Sequence, residues 1–143
     1  MMFRPLTVQD KTAIESVLSS RRDLPRVGVS WTVESVLNEL SISGSLGNFA
    51  QDLQAFILFK DLGSVIEILL IYSRKGSKDA AAQVLKAMVD AHSQFDEVWL
   101  EVHEENRAAI RFYERHGFVK VSRRSNYYPD GKAALNYNLR LKP

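Results

Sequence analysis

The chain has 143 residues, 45% of them apolar and 25% charged, a length and composition suited to one domain, residues 1–143, with its own core. With no cysteine, disulfides, thiolate zinc sites and a cysteine nucleophile are excluded, and the apolar content excludes intrinsic disorder. Net charge is +2, but residues 1–100 carry ten Lys and Arg against twelve Asp and Glu, whereas residues 101–143 carry nine against five. Along the chain, Thr7 reads as an N-cap, with Asp10 three residues on completing a capping-box-like pair. Ile14, Val17 and Leu18 then give the helix one apolar face. Arg21–Val29, with Pro25 and Gly28, reads as a loop. Ser30 or Thr32 caps a second helix whose stripe is Val33, Val36, Leu37 and Leu40. Ser41–Gly47, with two glycines and three serines, reads as another loop.

In the middle the pattern turns to strands. Ala55–Lys60 and Val65–Ile71 flank a turn at Gly63 and predict a hairpin. Ser77 is expected to cap a third helix to about Ser93, with Ala81, Val84, Leu85, Met88 and Val89 inward. Val98–Val102 is a short strand with Val98, Leu100 and Val102 on one face and Trp99 and Glu101 on the other. Asn106 opens a fourth helix through Ile110 and Tyr113, and Gly117 suits its C′ position. Phe118–Arg124 and Ala134–Leu141 close the chain as strands around a polar tip, Asn126–Lys132. The order is α-α-β-β-α-β-α-β-β, with a further strand open near Met2–Leu6. Helices alternating with strands imply an α/β fold, a mixed sheet flanked by about four helices. The longest apolar run, Val65–Tyr72, is interrupted by Glu67 and falls short of the ~20 residues of a membrane helix. The N-terminus has no secretory-signal pattern, so no membrane partner and a cytoplasmic location are expected.

One segment carries chemistry. Trp99-Leu-Glu-Val-His-Glu-Glu-Asn106, followed by Ala109-Ile-Arg-Phe-Tyr113-Glu-Arg-His-Gly-Phe118, resembles the Gcn5-related N-acetyltransferases (GNAT) through the run N-x-x-A-I-x-x-Y-x-x-x-G-F. Arg123-Arg-Ser-Asn-Tyr-Tyr-Pro129 with Asp130-Gly131, and Ser30-Trp31-Thr32, resemble the ribosomal-protein-alanine N-acetyltransferase (RimI-type) branch. The resemblance implies the GNAT fold, acetyl-CoA as acetyl donor and a protein N-terminal amine as acceptor. An alanine-initiated ribosomal protein is one such acceptor.

It also implies residue roles. Glu101 matches the general base and Tyr113 the general acid. Asn106 and Tyr113 match cofactor contacts. Leu69, Leu70 and Ile71 match the strand whose backbone meets the thioester, where an oriented N–H lowers the barrier. The pyrophosphate loop aligns without gaps on Gly76, Ser77, Lys78, Asp79, Ala80, Ala81 and Ala82, at the start of the third helix, where free N–H groups favour an anion. Asp79 stands where the family has glycine. Alternatively Arg74-Lys-Gly76 supplies the motif in a frame shifted by two residues. Trp31, Tyr127 and Tyr128 fall where that branch holds its peptide.

Taken alone, several of these residues have plainer readings. Glu101 reads as a strand glutamate paired with an arginine, Tyr113 as a core aromatic, and the tyrosines of the tip as cover for the sheet. His92, His103 and His116 show no metal spacing, no metal is expected, and His116 late in its helix suits the helix dipole. Two other functions stay open: acetyl transfer to a lysine or small-molecule amine, and a catalytically weak acyl-CoA-binding protein, the latter suggested by Asp79. The basic C-terminal third permits RNA contact, but no RNA-binding motif appears and no nucleic-acid partner is expected.

Overall fold

Local chemistry at the N-terminus does what its spacing predicts. The Thr7 hydroxyl accepts the Gln9 N–H, and the Asp10 carboxylate accepts the Thr7 N–H at 2.8 Å. Arg4 clamps Asp10 from outside at 2.8 and 3.0 Å, and chiefly that contact holds the Asp10 carboxyl below its usual range. These residues belong to a computed structural model describing residues 1–24, 31–77 and 79–142. Its elements are β1 (Met2–Arg4), a 3-10 turn (Val8–Asp10) that the Thr7–Asp10 box caps and that leads into α1 (Lys11–Ser20), α2 (Val33–Leu40), β2 (Gly44–Ala50), β3 (Asp52–Asp61), β4 (Val65–Ser73), α3 (Ala80–Ala91), β5 (Glu97–His103), α4 (Arg107–Arg115), β6 (Val119–Arg124) and β7 (Ala134–Arg140). Thr32 caps α2, with Ser35 completing the reciprocal pair; Ser30 and most of the loop expected over Arg21–Val29 lie outside the described residues.

The seven strands form one mixed sheet in the order β1-β2-β3-β4-β5-β7-β6. Every neighbouring pair is antiparallel except β4 with β5. One face is covered by α1 and α2, whose Ile14, Val17, Val33 and Val36 pack on Leu53, Phe56, Leu58 and Leu70. The other carries α3 and α4, with Val84, Leu85, Met88 and Tyr113 packed on Ile57, Ile66, Ile68, Val98 and Leu100. Each such side chain taken fully out of water contributes about 1.5–3 kcal/mol, so both helical layers are held mainly by apolar burial. Among the described residues, no helix is long and apolar enough to cross a membrane.

Two expectations need correction. Ser41–Gly47 is not a loop throughout: Gly44 begins β2, which pairs with both β1 and β3. Its glycines serve packing rather than turning. A Cβ on Gly44 would run into the Phe59 ring, and one on Gly47 would lie 2.8 Å from Leu6 and 2.7 Å from Phe49. The third helix begins at Ala80 rather than at a Ser77 cap, because the Ser77 hydroxyl donates to Gln54 Oε1 instead. The strand near Met2–Leu6 forms as β1, and Gly63 turns the β3–β4 hairpin with φ +99°.

Candidate active site

A strand irregularity opens the site. In the β3–β4 ladder Leu58 faces Leu70 and Phe59 faces Ile68, so Leu69 is an extra, unpaired residue on β4. Such a bulge bends its strand and breaks the alternation of faces. Ile66 and Ile68 pack toward α3 and α4, whereas Leu69 and Leu70 pack toward α1 and α2. The parallel pairing of β4 with β5 stops at the neighbouring row, Ile68 with Leu100. Beyond it, β4 continues on β3 to Ser73 and β5 continues on β7 to His103. A cleft of about 820 Å3 lies between them, bordered by Leu69–Ser73 on one side and Glu101–His103 on the other. The backbone groups of Leu69–Ile71 on that side have no β5 partner.

Glu101 follows the parity read from the sequence. Val98, Leu100 and Val102 are buried, while Trp99 and Glu101 face outward. Arg124 Nη1 lies 3.8 Å from Glu101 Oε1, a loose pair with 61% of the arginine side chain and 30% of the glutamate side chain exposed. The arginine pairing expected of a plain strand glutamate is therefore present, at the edge of a cleft.

Tyr113 sits across from it on α4. The motif's first residue fixes that helix: Asn106 Oδ1 accepts the Ala109 N–H at 3.3 Å. Gly117, at φ +90°, lets the chain leave it. Tyr137 on β7 donates to Glu114 at 2.9 Å, and burial with that carboxylate pushes its phenol up to about 12; the bond pins α4 to the sheet beside Tyr113. Tyr113 is 8% exposed, flanked edge-on by the Phe112 and Phe118 rings at 5.4 Å each. Burial holds its phenol well above the usual tyrosine range, so it stays protonated at any physiological pH. Tyr113 lines the cleft.

Of the other residues singled out from sequence, Trp31, Leu69, Leu70, Ile71, Ala81, Asn106, Tyr127 and Tyr128 also line this cleft. Gly76, Ser77, Asp79, Ala80 and Ala82 do not, although Ser73 at the end of β4 and Ala81 in the first turn of α3 do. Lys78 lies outside the described residues. Asp79 occupies the cap position of α3 without a side-chain capping bond. Gly76 turns at φ +87° in open space, and Arg74 is held by the Leu53 carbonyl and the Ser16 hydroxyl. Ala80 is buried, its carbonyl accepting from Asn48 Nδ2 at 3.2 Å.

The cleft also takes in residues that sequence reasoning passed over, among them Arg21, Leu24 and Glu67. Arg21 reaches the Ser73 carbonyl at 3.3 Å, joining the end of α1 to the end of β4. No local signal marks such a contact between distant segments. His92 and His116 each stand at a helix C-cap, with Nδ1 2.7 Å from the Met88 and Phe112 carbonyls respectively. Among the described residues no cluster suits a metal ion.

Comparison with known proteins bears on the fold. Residues 52–118 match the profile of the acetyltransferase (GNAT) family. A curated N-alpha-acetyltransferase of Sulfurisphaera tokodaii is 37% identical over 75 residues, which cover 50% of this chain and 44% of that relative, less than half its length. The ribosomal-protein-S18-alanine N-acetyltransferase of Escherichia coli superposes with a TM-score of 0.80 over 99% of this chain and 94% of its own, at 20% identity. Ard1 of Thermoplasma volcanium gives 0.79 over 99% and 98%, also at 20% identity. The mixed seven-stranded sheet with its four helices is thus the GNAT fold, and the match to the acetyltransferase (GNAT) family spans residues 52–118, just under half of the chain.

Proposed function

We propose that the protein transfers an acetyl group from acetyl-CoA to the N-terminal α-amine of a protein or peptide, with residues 1–143 acting as one domain. The observation that carries this reading is the parting of β4 from β5, which leaves a free backbone edge facing a carboxylate and a protonated phenol across one cleft. Acetyl-CoA would supply the acetyl group as a thioester. The Leu69–Ile71 edge and the first turn of α3 at Ala81, which has no side-chain cap, are the donors that fit its carbonyl oxygen and pyrophosphate.

Glu101 acts as the base. An α-amine has a pKa of ~7.7–8.0, so about a tenth is free at pH 7, and a carboxylate through water need remove only one proton. Tyr113 donates its hydroxyl hydrogen to the sulfur as charge gathers there. Full proton transfer from so weak an acid is uphill, so its main contribution is a hydrogen bond aimed at the leaving group. Trp31, Tyr127 and Tyr128 form the acceptor side of the cleft. The names of the Escherichia coli and Sulfurisphaera tokodaii proteins support a protein N-terminus as acceptor and an alanine-initiated ribosomal protein as one candidate.

The test pairs calorimetric titration of acetyl-CoA with acetylation of peptides differing at their first residue, the acetyl group located by mass spectrometry. Binding and transfer to free N-termini, alanine-initiated ones fastest, are expected. Binding without turnover would favour the acyl-CoA-binding alternative that Asp79 at the α3 cap motivates.

A further inference from the structure

The residues at and just beyond the end of β5 do something the reaction above does not use. His103, Glu104 and Glu105 each grip the connection between β6 and β7. His103 Nε2 lies 2.7 Å from Asp130 Oδ2. Glu104 takes the Ala133 N–H at 2.6 Å and Arg123 Nη2 at 3.2 Å. Glu105 pairs with Lys132 at 3.1 Å. The two flanking pairs lie partly in solvent, where such contacts are worth little. The His103 side chain is only 1% exposed, and its bonds are determinate. Nδ1 accepts the Glu105 N–H at 3.0 Å, so the neutral ring carries its hydrogen on Nε2 and donates it to Asp130.

The ring has a second neighbour. Tyr128 stacks on it with centroids 4.7 Å apart and planes tilted by 30°, and both residues line the cleft. Tyr127 packs edge-on against Tyr128 at 5.0 Å, and both tyrosine N–H groups share the Lys132 carbonyl at 3.1 Å. Burial, then the charge of Glu101, raises the Tyr128 phenol above its usual range, which places that tyrosine in the electrostatic field of the base. The connection is otherwise exposed and would wander without an anchor.

We propose that His103 and Asp130 form a clasp that fixes Tyr127 and Tyr128 in the cleft to receive the acceptor peptide, which makes His103 and Asp130 positioning residues for acceptor binding. This rests on the acetyltransferase reading. His103 touches no reacting atom and acts through the face of Tyr128.

Asp130→Ala tests the clasp without disturbing the core, since the Asp130 side chain is 49% exposed. With an alanine-initiated peptide, KM for the acceptor should rise about 10-fold, as expected for losing a hydrogen bond to a charged group. The affinity for acetyl-CoA and kcat at saturating peptide should stay within about two-fold. Asp130→Asn keeps an oxygen for Nε2–H and should recover most of the parent KM. An unchanged KM in Asp130→Ala, equal losses in the Ala and Asn variants, or a parallel loss of acetyl-CoA affinity would overturn the proposal. Hydrogen exchange reads the clasp without turnover: the Tyr127 and Tyr128 amides should exchange about 10-fold faster in Asp130→Ala. Equal exchange rates would overturn the clasp alone. A parent that acetylates no peptide would overturn the acetyltransferase reading and with it the acceptor role.

Discussion

Two strand–loop–helix units border the cleft, and they start their helices differently. In β5–α4, Asn106 supplies its own side-chain oxygen to the Ala109 N–H. In β4–α3, Asp79 stands at the cap and makes no such bond, while the preceding Ser77 turns its hydroxyl to Gln54. A capped helix has met one of its free first-turn donors; an uncapped one offers them to a ligand. The same unit holds the bulge at Leu69, which frees the adjacent backbone edge. One side of the cleft is therefore closed on itself and presents side chains, Glu101 nearby and Tyr113 on the helix. The other presents backbone. In the proposed reading the first side carries the chemistry and the second binds the donor.

The most severe test of that division is Tyr113→Phe. Removal of the hydroxyl should cut kcat by roughly 10²-fold, in line with general acid contributions, while acetyl-CoA affinity moves only a few-fold. Equal turnover at saturating substrate would take the acid role from α4.

Asn48→Ala probes the backbone side. Asn48 is 1% exposed and donates to the Ala80 carbonyl and to Gln83 Oε1 at 3.2 and 3.1 Å, so β2 holds the first turn of α3 in place. Its loss should lower stability by about 1–3 kcal/mol and weaken acetyl-CoA binding, with kcat at saturation preserved. Denaturant titration and calorimetry read the two effects. A loss of kcat alone would mean that the two sides are not separable in this way.

Glu101→Gln should lower turnover about 10-fold below pH ~8, where the acceptor amine is mostly protonated, and less above it, where the amine is already free. A pH–rate profile with the same deficit throughout would make Glu101 a positioning group. The smallest effect belongs to Asp79→Gly. Removing a carboxylate from the end of α3 proposed to meet the pyrophosphate should tighten acetyl-CoA binding about two- to five-fold at low salt, and less at high salt. Unchanged affinity would mean that Asp79 points away from the phosphates, or that Gly76 serves the loop in the shifted frame.

The side that presents side chains was also the legible one. From Val98 to Phe118 the strand parity, the Asn106 cap and the Gly117 exit are all local, and the spacing that announces them is the spacing that forms them. The backbone side was harder for physical reasons. Gly44 and Gly47 read as turn residues, whereas they are small because Phe59, Phe49 and Leu6 fill the space a side chain would need. Ser77 reads as a cap until Gln54, 23 residues away in sequence, takes its hydroxyl. The bulge at Leu69 sits inside the apolar stretch Ile68–Tyr72 and leaves no mark on it, so local pattern alone does not show where the sheet parts. The contacts of Arg21 and of Asp130 with their distant partners likewise exist only once the chain has folded.

The central claim is that this cleft delivers an acetyl group to an α-amine, and one competition tests it most directly. A peptide beginning with free alanine and carrying a single internal lysine is incubated at pH 7 with the protein and acetyl-CoA, and fragment mass spectrometry locates the label. The account predicts acetylation at the alanine N-terminus, helped by a pKa difference of ~2.5 units that leaves free lysine amine far scarcer. Label appearing first on the lysine, or on neither amine, would contradict it.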